Sequence, residues 1–584
     1  MFELTIYWWG FAILTSLWVF VHYLLMPRPI RGVPYNQLSR LQPWGDLGAL
    51  GIYSGLGFGG EIYDWFSLQC LGLKSPLVQV FMPPISTTHP VLILSDLREV
   101  QDIVTKRTNE VDRAGIMHTW FGLLAPRASI GLKSKTEGWR KQRSLWNVIV
   151  NPPFLKEVVF KNTHTVALEL VNLWKEKVSK AHGMAFDARE DLWLAMLEET
   201  WRNMFNTKLD LMSIKSEAVK CSQRTGPGRT GVVVFESGHL PDFCSVLDTL
   251  IMCLDWVIQG VTPRGYTWLF RTTGILSRAE KRKDKILDEQ IRIAQSRLRQ
   301  KPQNTEKTGT CAVDLVLEKD SRAGDRTPLS NEALRDEALE LLLTGRSTTS
   351  GSFMWVLRYL MDHTDVQNRL RQQLLLVFGD RDGSKCPSAE AIATAPLPYL
   401  DAVLAETLRC SATVPVCFRE TILPCTILGH DVPAGTPLVL LTAGSSYRSP
   451  NMPAIPEALR SKTSQKTLVY KTLTSDYTNR EAGQSVDTFD PARWLVNGKF
   501  DAGAVHMLPF SAGPRGCFGK KIALLELRIL TVVLLMHFEL PKLAKRLSSH
   551  KAVDGLSRKP RELYVNPRPW CDKAGYDCGD YFDA

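Results

Sequence analysis

Apolar residues recur every three or four positions from about residue 96 to 380, the period of helices that bury one face. Residues 331–363 read as one long helix, and 397–409 as another. Short extended segments are expected at 77–81 and Val91–Leu94, bounded by Pro and Ser, and again around 421–428 and Pro437–Leu441. The stretches 222–230, 303–327 and 452–484 are rich in Gly, Pro, Ser, Thr and charge. They read as loops, the last as a long mobile insertion. No internal repeat is visible. The pattern predicts a mainly α domain with a minor β-sheet region.

The chain opens differently. Residues 4–26 are almost wholly apolar, with Trp8, Trp9, Trp18, Phe11 and Phe20, and are long enough for one membrane-spanning helix. Arg28, Arg31 and Arg40 follow the run and no basic residue precedes it, which places the body that follows in the cytosol. Pro27, Pro29 and Pro34 end the helix and stiffen what comes next. The expected organisation is an N-terminal membrane anchor over 1–27 and a Pro/Gly-rich linker and access loop over 28–60. A catalytic domain follows over 61–570, with a polar tail over 571–584. Gly55, Gly57 and Gly60 formally match a dinucleotide fingerprint, but no clear strand precedes them, so a flexible loop is the better reading.

Composition narrows the function. With 584 residues, 44% hydrophobic and 22% charged, the chain can bury an ample core. Its 12 cysteines are scattered without a CxxC, which argues against a zinc site and for reduced thiols. Cys571 and Cys578, in the polar tail, are the ones expected to be exposed. The net charge of +11 forms no long basic tract, so nucleic acid is not the expected partner. An acidic partner or anionic lipid headgroups fit better.

The candidate chemistry centres on Cys517, between glycines in Phe510-Ser-Ala-Gly-Pro-Arg-Gly-Cys-Phe-Gly519 and just before an apolar helix. A helix N-terminus and nearby amides favour thiolate, and thiolate is a soft ligand that haem iron accepts. Gly513 and Gly516 let the backbone turn tightly around the sulfur. The same residues also read as a buried cysteine in a Gly-rich turn. Glu406 and Arg409 lie three apart on one helical face, suited to an ion pair. Trp139 and Arg143 lie four apart, so an indole N–H and a guanidinium can reach one anion; a plain amphipathic helix fits the same spacing. Gly345 sits inside the long helix, where glycine costs about 1 kcal/mol against alanine, which a ligand against the backbone would justify. Thr348 nearby can also bond back to its own helix.

These segments, in this order, resemble the cytochrome P450 family: the Trp139–Arg143 pair, the 344–349 stretch, Glu406–Arg409, 489–494 and the cysteine loop. The resemblance implies the P450-like fold, mainly α with a minor sheet, preceded by a single transmembrane helix. It makes Cys517 the axial thiolate of a haem b iron, with Phe510 shielding the sulfur. Arg515, Trp139, Arg143 and Arg419 would meet the haem propionates. Glu406, Arg409 and Arg493 would form a structural cluster behind the haem loop. Gly345 and Thr348 would face bound dioxygen. Ser347 departs from the family, which usually has an acid there, and a hydroxyl cannot hold charge as a carboxylate does.

By the same resemblance the protein is a monooxygenase acting on an apolar small molecule beside the bilayer. The resemblance is to microsomal fungal members that tailor terpenoid or polyketide secondary metabolites, anchored in the endoplasmic reticulum membrane with a cytosolic catalytic domain. Electrons would come from NADPH through cytochrome P450 reductase, with cytochrome b5 as a further partner. Lys520 and Lys521 are candidates to dock the reductase, or are ordinary solvated lysines. Trp120, Phe121 and Leu123 are expected at the substrate pocket. Two other readings stand beside this one: a haem-thiolate isomerase or dehydratase needing no reductase, and a non-catalytic haem-binding membrane protein.

Overall fold

The computed structural model describes residues 2–20, 26–53, 61–83, 89–221, 231–260, 263–300, 311–323, 329–379, 386–443, 455–466 and 488–570. Most of the body is helical, and its axis is the 32-residue helix Asn331–Asp362. Ser330 caps that helix by accepting a hydrogen bond from the Ala333 amide at 3.2 Å. Leu334, Ala338, Leu339, Leu342 and Leu343 bury its first half, and Phe353, Met354, Val356 and Leu357 its second. It packs against the helices Arg189–Phe205, Pro398–Ser411 and Lys520–His537. Because it is covered on most sides, its apolar residues spread around it instead of forming one stripe.

The minor sheet has five strands in the spatial order Leu77–Val80, Val91–Leu94, Pro437–Leu441, Val416–Thr421, Val111–Arg113. Leu77–Val80, Val91–Leu94 and Pro437–Leu441 are buried at every position, which is why the last two read as continuous apolar runs; the buried Gln79 in the first donates to the Ile30 and Val33 carbonyls. Val91–Leu94 runs parallel to Pro437–Leu441, and the other pairings are antiparallel. The outermost strand, Val111–Arg113, was not visible in the hydrophobic pattern.

The expected transmembrane helix is corrected. The first helix, Phe2–Phe20, has 19 residues, and among the described residues no helix is long and apolar enough to cross a membrane. Thr5, Tyr7, Trp8, Trp9, Gly10, Thr15 and Ser16 interrupt its aliphatic residues, and Trp and Tyr favour a membrane–water interface over hydrocarbon.

Two expected loops are partly built into the fold. Within 303–327 the helix Ala312–Ala323 forms, because Cys311, Val313 and Val316 bury one side and Arg297 binds Asp314 at 2.7 Å. Within 452–484, residues 455–466 pack on the helix Leu97–Thr105. Arg460 pairs with Asp96 at 2.7 Å, Ser461 and Thr463 donate to Asp102, and Ser464 is fully buried. The rest of that stretch, the 55–60 glycines, the 222–230 loop and the 571–584 tail lie outside the described residues. The described cysteines are all free; Cys221 and Cys517 are exposed, the others buried or half-buried.

Candidate active site

The cysteine loop turns at Gly513, whose φ of +68° suits glycine, and a Cβ there would collide with the Val104 carbonyl. The Cys517 amide then donates to the Phe510 carbonyl at 2.8 Å, closing the loop around the sulfur. The helix Lys520–His537 begins three residues later, and the Gly519 amide points to the thiol. Cys517 is exposed, yet what it faces is an internal cavity of 380 Å³. Burial within the body pushes its thiol up, against the pull of the Gly519 amide, Arg143 and Lys520. The helix start alone does not make it a thiolate. A bound metal cation would supply the missing stabilisation.

Five arginines line the same cavity; Arg409 is bonded to Glu406, and Arg113, Arg143, Arg419 and Arg515 are the other four. Arg143 reaches the Gly516 carbonyl at 3.4 Å and lies 4.3 Å over the Phe518 ring. Arg515 stacks 4.4 Å over Trp139 and bonds Ser134 Oγ at 2.6 Å, the Ser129 carbonyl at 3.0 Å and the Leu132 carbonyl. Arg419 is buried and bonds its neighbour's carbonyl, Phe418 O, at 3.0 Å. Arg113 was missed in the sequence. Its Nε is buried without a hydrogen-bond partner, and burial, then Arg419 and Arg515, push its pKa down to about 9. So many guanidiniums around one cavity call for anions. Two carboxylates of haem would meet that need, and the opposed thiol would meet its iron, so the residues present fit haem.

Across the cavity runs the helix Asn331–Asp362. Thr348 lines it, its hydroxyl donating to the Thr344 carbonyl at 2.8 Å. Ser347 Oγ lies 2.8 Å from Ser557 Oγ. A Cβ on Gly345 would meet Thr200 Oγ1 and Cγ2, each at 3.3 Å, so the glycine admits the neighbouring helix Arg189–Phe205. Ligand contact is not needed to explain it. Beside Thr200, the buried carboxyls Glu199 and Glu526 reach the cavity with Thr349, and no motif announced them. Glu337 and Glu340 also line it, and burial raises both carboxyls. Trp120 and Phe121 form apolar wall, whereas Leu123 is buried in the core outside the lining.

Behind the loop, Glu406 is fully buried and accepts five N–H hydrogen bonds, with the Cys410 thiol 3.9 Å away. Arg409 binds both its oxygens at 2.8 and 2.7 Å, and Arg493 Nε, the Asp490 amide and Trp494 Nε1 each bind at 2.9 Å. Both arginines also reach the Thr488 carbonyl at 3.0 Å. Burial alone would raise the Glu406 carboxyl, but the Arg409 bond and charge, with Arg493, overcome it and hold it below the usual range. The cluster ties the helix Pro398–Ser411 to the segment leading into the cysteine loop.

Comparison with known proteins agrees with this geometry. The sequence model of the cytochrome P450 family matches residues 76–458 and 466–567. Cytochrome P450 monooxygenase GME11363 of Pestalotiopsis microspora is 29% identical over 568 residues, covering 95% of this chain and 96% of its own. Cytochrome P450 monooxygenase xilC of Penicillium crustosum is also 29% identical, over 95% of each chain. Cytochrome P450 monooxygenase TRI13 of Fusarium sporotrichioides is 26% identical, over 94% and 98%. Among solved structures, the cytochrome P450DA heme domain superposes with a TM-score of 0.68 at 17% identity, covering 94% of this chain and 99% of that one. With the family model matched over most of its length, the chain belongs to the cytochrome P450 family.

Proposed function

We propose that this protein is a haem-thiolate monooxygenase that places one atom of dioxygen into an apolar small molecule, using electrons from NADPH delivered by a separate reductase. The observation that carries this reading is the Cys517 thiol opening into a cavity ringed by Arg113, Arg143, Arg419 and Arg515. Haem held there would supply dioxygen activation, with the thiolate favouring O–O cleavage. The chain's own residues do the rest. The four guanidiniums would hold the carboxylates of the group, and Trp139 braces Arg515. Met117, Trp120, Phe121, Ile258, Leu341 and Leu556 exclude water and orient an apolar substrate by shape. The Thr348 hydroxyl stands ready on the distal wall to turn from the Thr344 carbonyl toward a polar group in the cavity.

Lys520 and Lys521 are exposed beside the thiol loop, which supports docking of an acidic reductase or cytochrome b5 on that face. The fungal origin of the three relatives supports a role in fungal secondary metabolism, with a terpenoid or polyketide as the substrate class. The test is the stoichiometry of the purified protein with reductase. Equal consumption of NADPH and dioxygen, matched to hydroxylated or epoxidised product, is expected. Turnover without either would instead establish an isomerase or dehydratase.

A further inference from the structure

Glu199, on the helix Arg189–Phe205, and Glu526, on the helix Lys520–His537, hydrogen-bond carboxyl to carboxyl at the cavity wall. Glu199 is fully buried and Glu526 is 4% exposed. Their other partners are neutral. Thr349 Oγ1 donates to Glu526 Oε2 at 2.7 Å. Asn203 Nδ2 donates to Glu199, and the Thr163 and Thr200 hydroxyls lie 3.0 and 3.5 Å from it while also reaching the Val159 and Met196 carbonyls at 2.8 and 2.7 Å.

The cations on the surrounding helices are engaged elsewhere: Arg202 with Glu198 and Glu169, Arg346 with Asp248, Arg528 with Asp401. Glu337 and Glu340, two to three turns before Thr349 on its helix, turn to the Ser129 amide and hydroxyl. Two uncompensated carboxylates at this depth would be prohibitively costly, whereas one proton between them makes a short, charge-assisted hydrogen bond. Burial pushes both carboxyls up, and the second carboxylate pushes Glu526 further. One proton is therefore shared across the hydrogen bond between Glu526 and Glu199.

We propose that Glu199 and Glu526 are a one-proton carboxylic acid pair that stores the exchangeable proton for the distal side of the cavity, replacing the carboxylate that residue 347 lacks. Ser347 cannot fill that role, because a hydroxyl does not hold charge as a carboxylate does. Thr349, bonded to Glu526 and adjacent to Thr348, links the pair to the distal wall. The transfer balances. A water proton reaches one carboxyl as the O–H bond of the other breaks and its proton passes to a hydroxyl or water in the cavity, so the pair never holds two negative charges. The use of this proton rests on the monooxygenase reading; the existence of the pair does not.

Difference infrared spectroscopy of the full chain, with and without haem, reads the pair directly. Wild type is expected to keep the carbonyl stretch of a protonated carboxyl at neutral pH, shifting in deuterated water. Glu526→Gln and Glu199→Gln are each expected to remove or shift one component of that absorption, while the contribution of the other buried carboxyls, Glu337 and Glu340, stays. Absence of the band in wild type, or a band indifferent to both variants, overturns the pair.

In the haem-loaded enzyme with reductase, Glu526→Gln and Thr349→Val are each expected to raise hydrogen peroxide released per product on the order of tenfold. Haem content and the carbon-monoxide spectrum are expected to stay at wild-type values. Unchanged peroxide yield in Thr349→Val, which leaves both acids in place, overturns the proton-store role even if Glu526→Gln fails to fold. Failure of the monooxygenase reading looks different: wild type itself would give neither peroxide nor product.

Discussion

Arg113 and Arg419 stand directly opposite each other where the strands Val111–Arg113 and Val416–Thr421 pair antiparallel. Like charges in that register repel, and Arg419 is buried and Arg113 half-buried beside Arg515 as well. The arrangement is unfavourable in isolation and favourable around anions. It is a binding site whose cost is carried by the empty protein.

The sign of a substitution is therefore expected to reverse on loading. Arg113→Met keeps most of the side-chain volume and removes one charge. Without haem it is expected to stabilise the protein by up to about 1 kcal/mol, because a like-charge contact is gone. With haem it is expected to lower occupancy and speed haem loss to an acceptor protein. Thermal unfolding of both forms, beside a haem-transfer assay, measures the two effects.

Glu406→Gln tests the cluster behind the loop. It leaves Arg409 and Arg493 without a buried counter-charge, a loss of about 3–5 kcal/mol. Glu406 is held below its ordinary value, so its contribution is present above the unfolded carboxylate pKa of about 4.3 and is lost as pH falls through the lower folded value. Urea unfolding across pH is expected to show wild type and variant far apart at neutral pH and converging in acid.

Gly345→Ala probes the approach of Thr200. Alanine gains about 1 kcal/mol of helix propensity over glycine, but its Cβ meets Thr200 atoms at 3.3 Å, so the single change is expected to be close to neutral. In a Thr200→Ala background the obstruction is gone and the same change is expected to stabilise by about 1 kcal/mol. A double-mutant cycle on unfolding free energy reports the difference as coupling between the two helices.

What was legible in the sequence was local. Cys517 with its glycines, and Glu406 with Arg409, carry their geometry in their spacing, because a loop of ten residues or one helical turn builds them. Arg113 was hidden because its role arises from pairing a three-residue strand with one some three hundred positions away. Glu199 and Glu526 looked like ordinary helix glutamates, and only the convergence of three helices makes them a pair. The helix Ala312–Ala323 was masked by polar composition, since tertiary burial of one side decides it. The opposite error came at the N-terminus. A run of apolar letters was read as a spanning helix, although its Trp, Tyr, Thr, Ser and Gly residues leave it short of that threshold.

The central claim is that Cys517 ligates haem in this cavity. The reduced carbon-monoxide difference spectrum of purified wild type beside Cys517→Ser tests it most directly. A thiolate-type Soret band in wild type, lost in the variant, is the predicted result. A wild-type protein that binds no haem, or a band unchanged in Cys517→Ser, would contradict it.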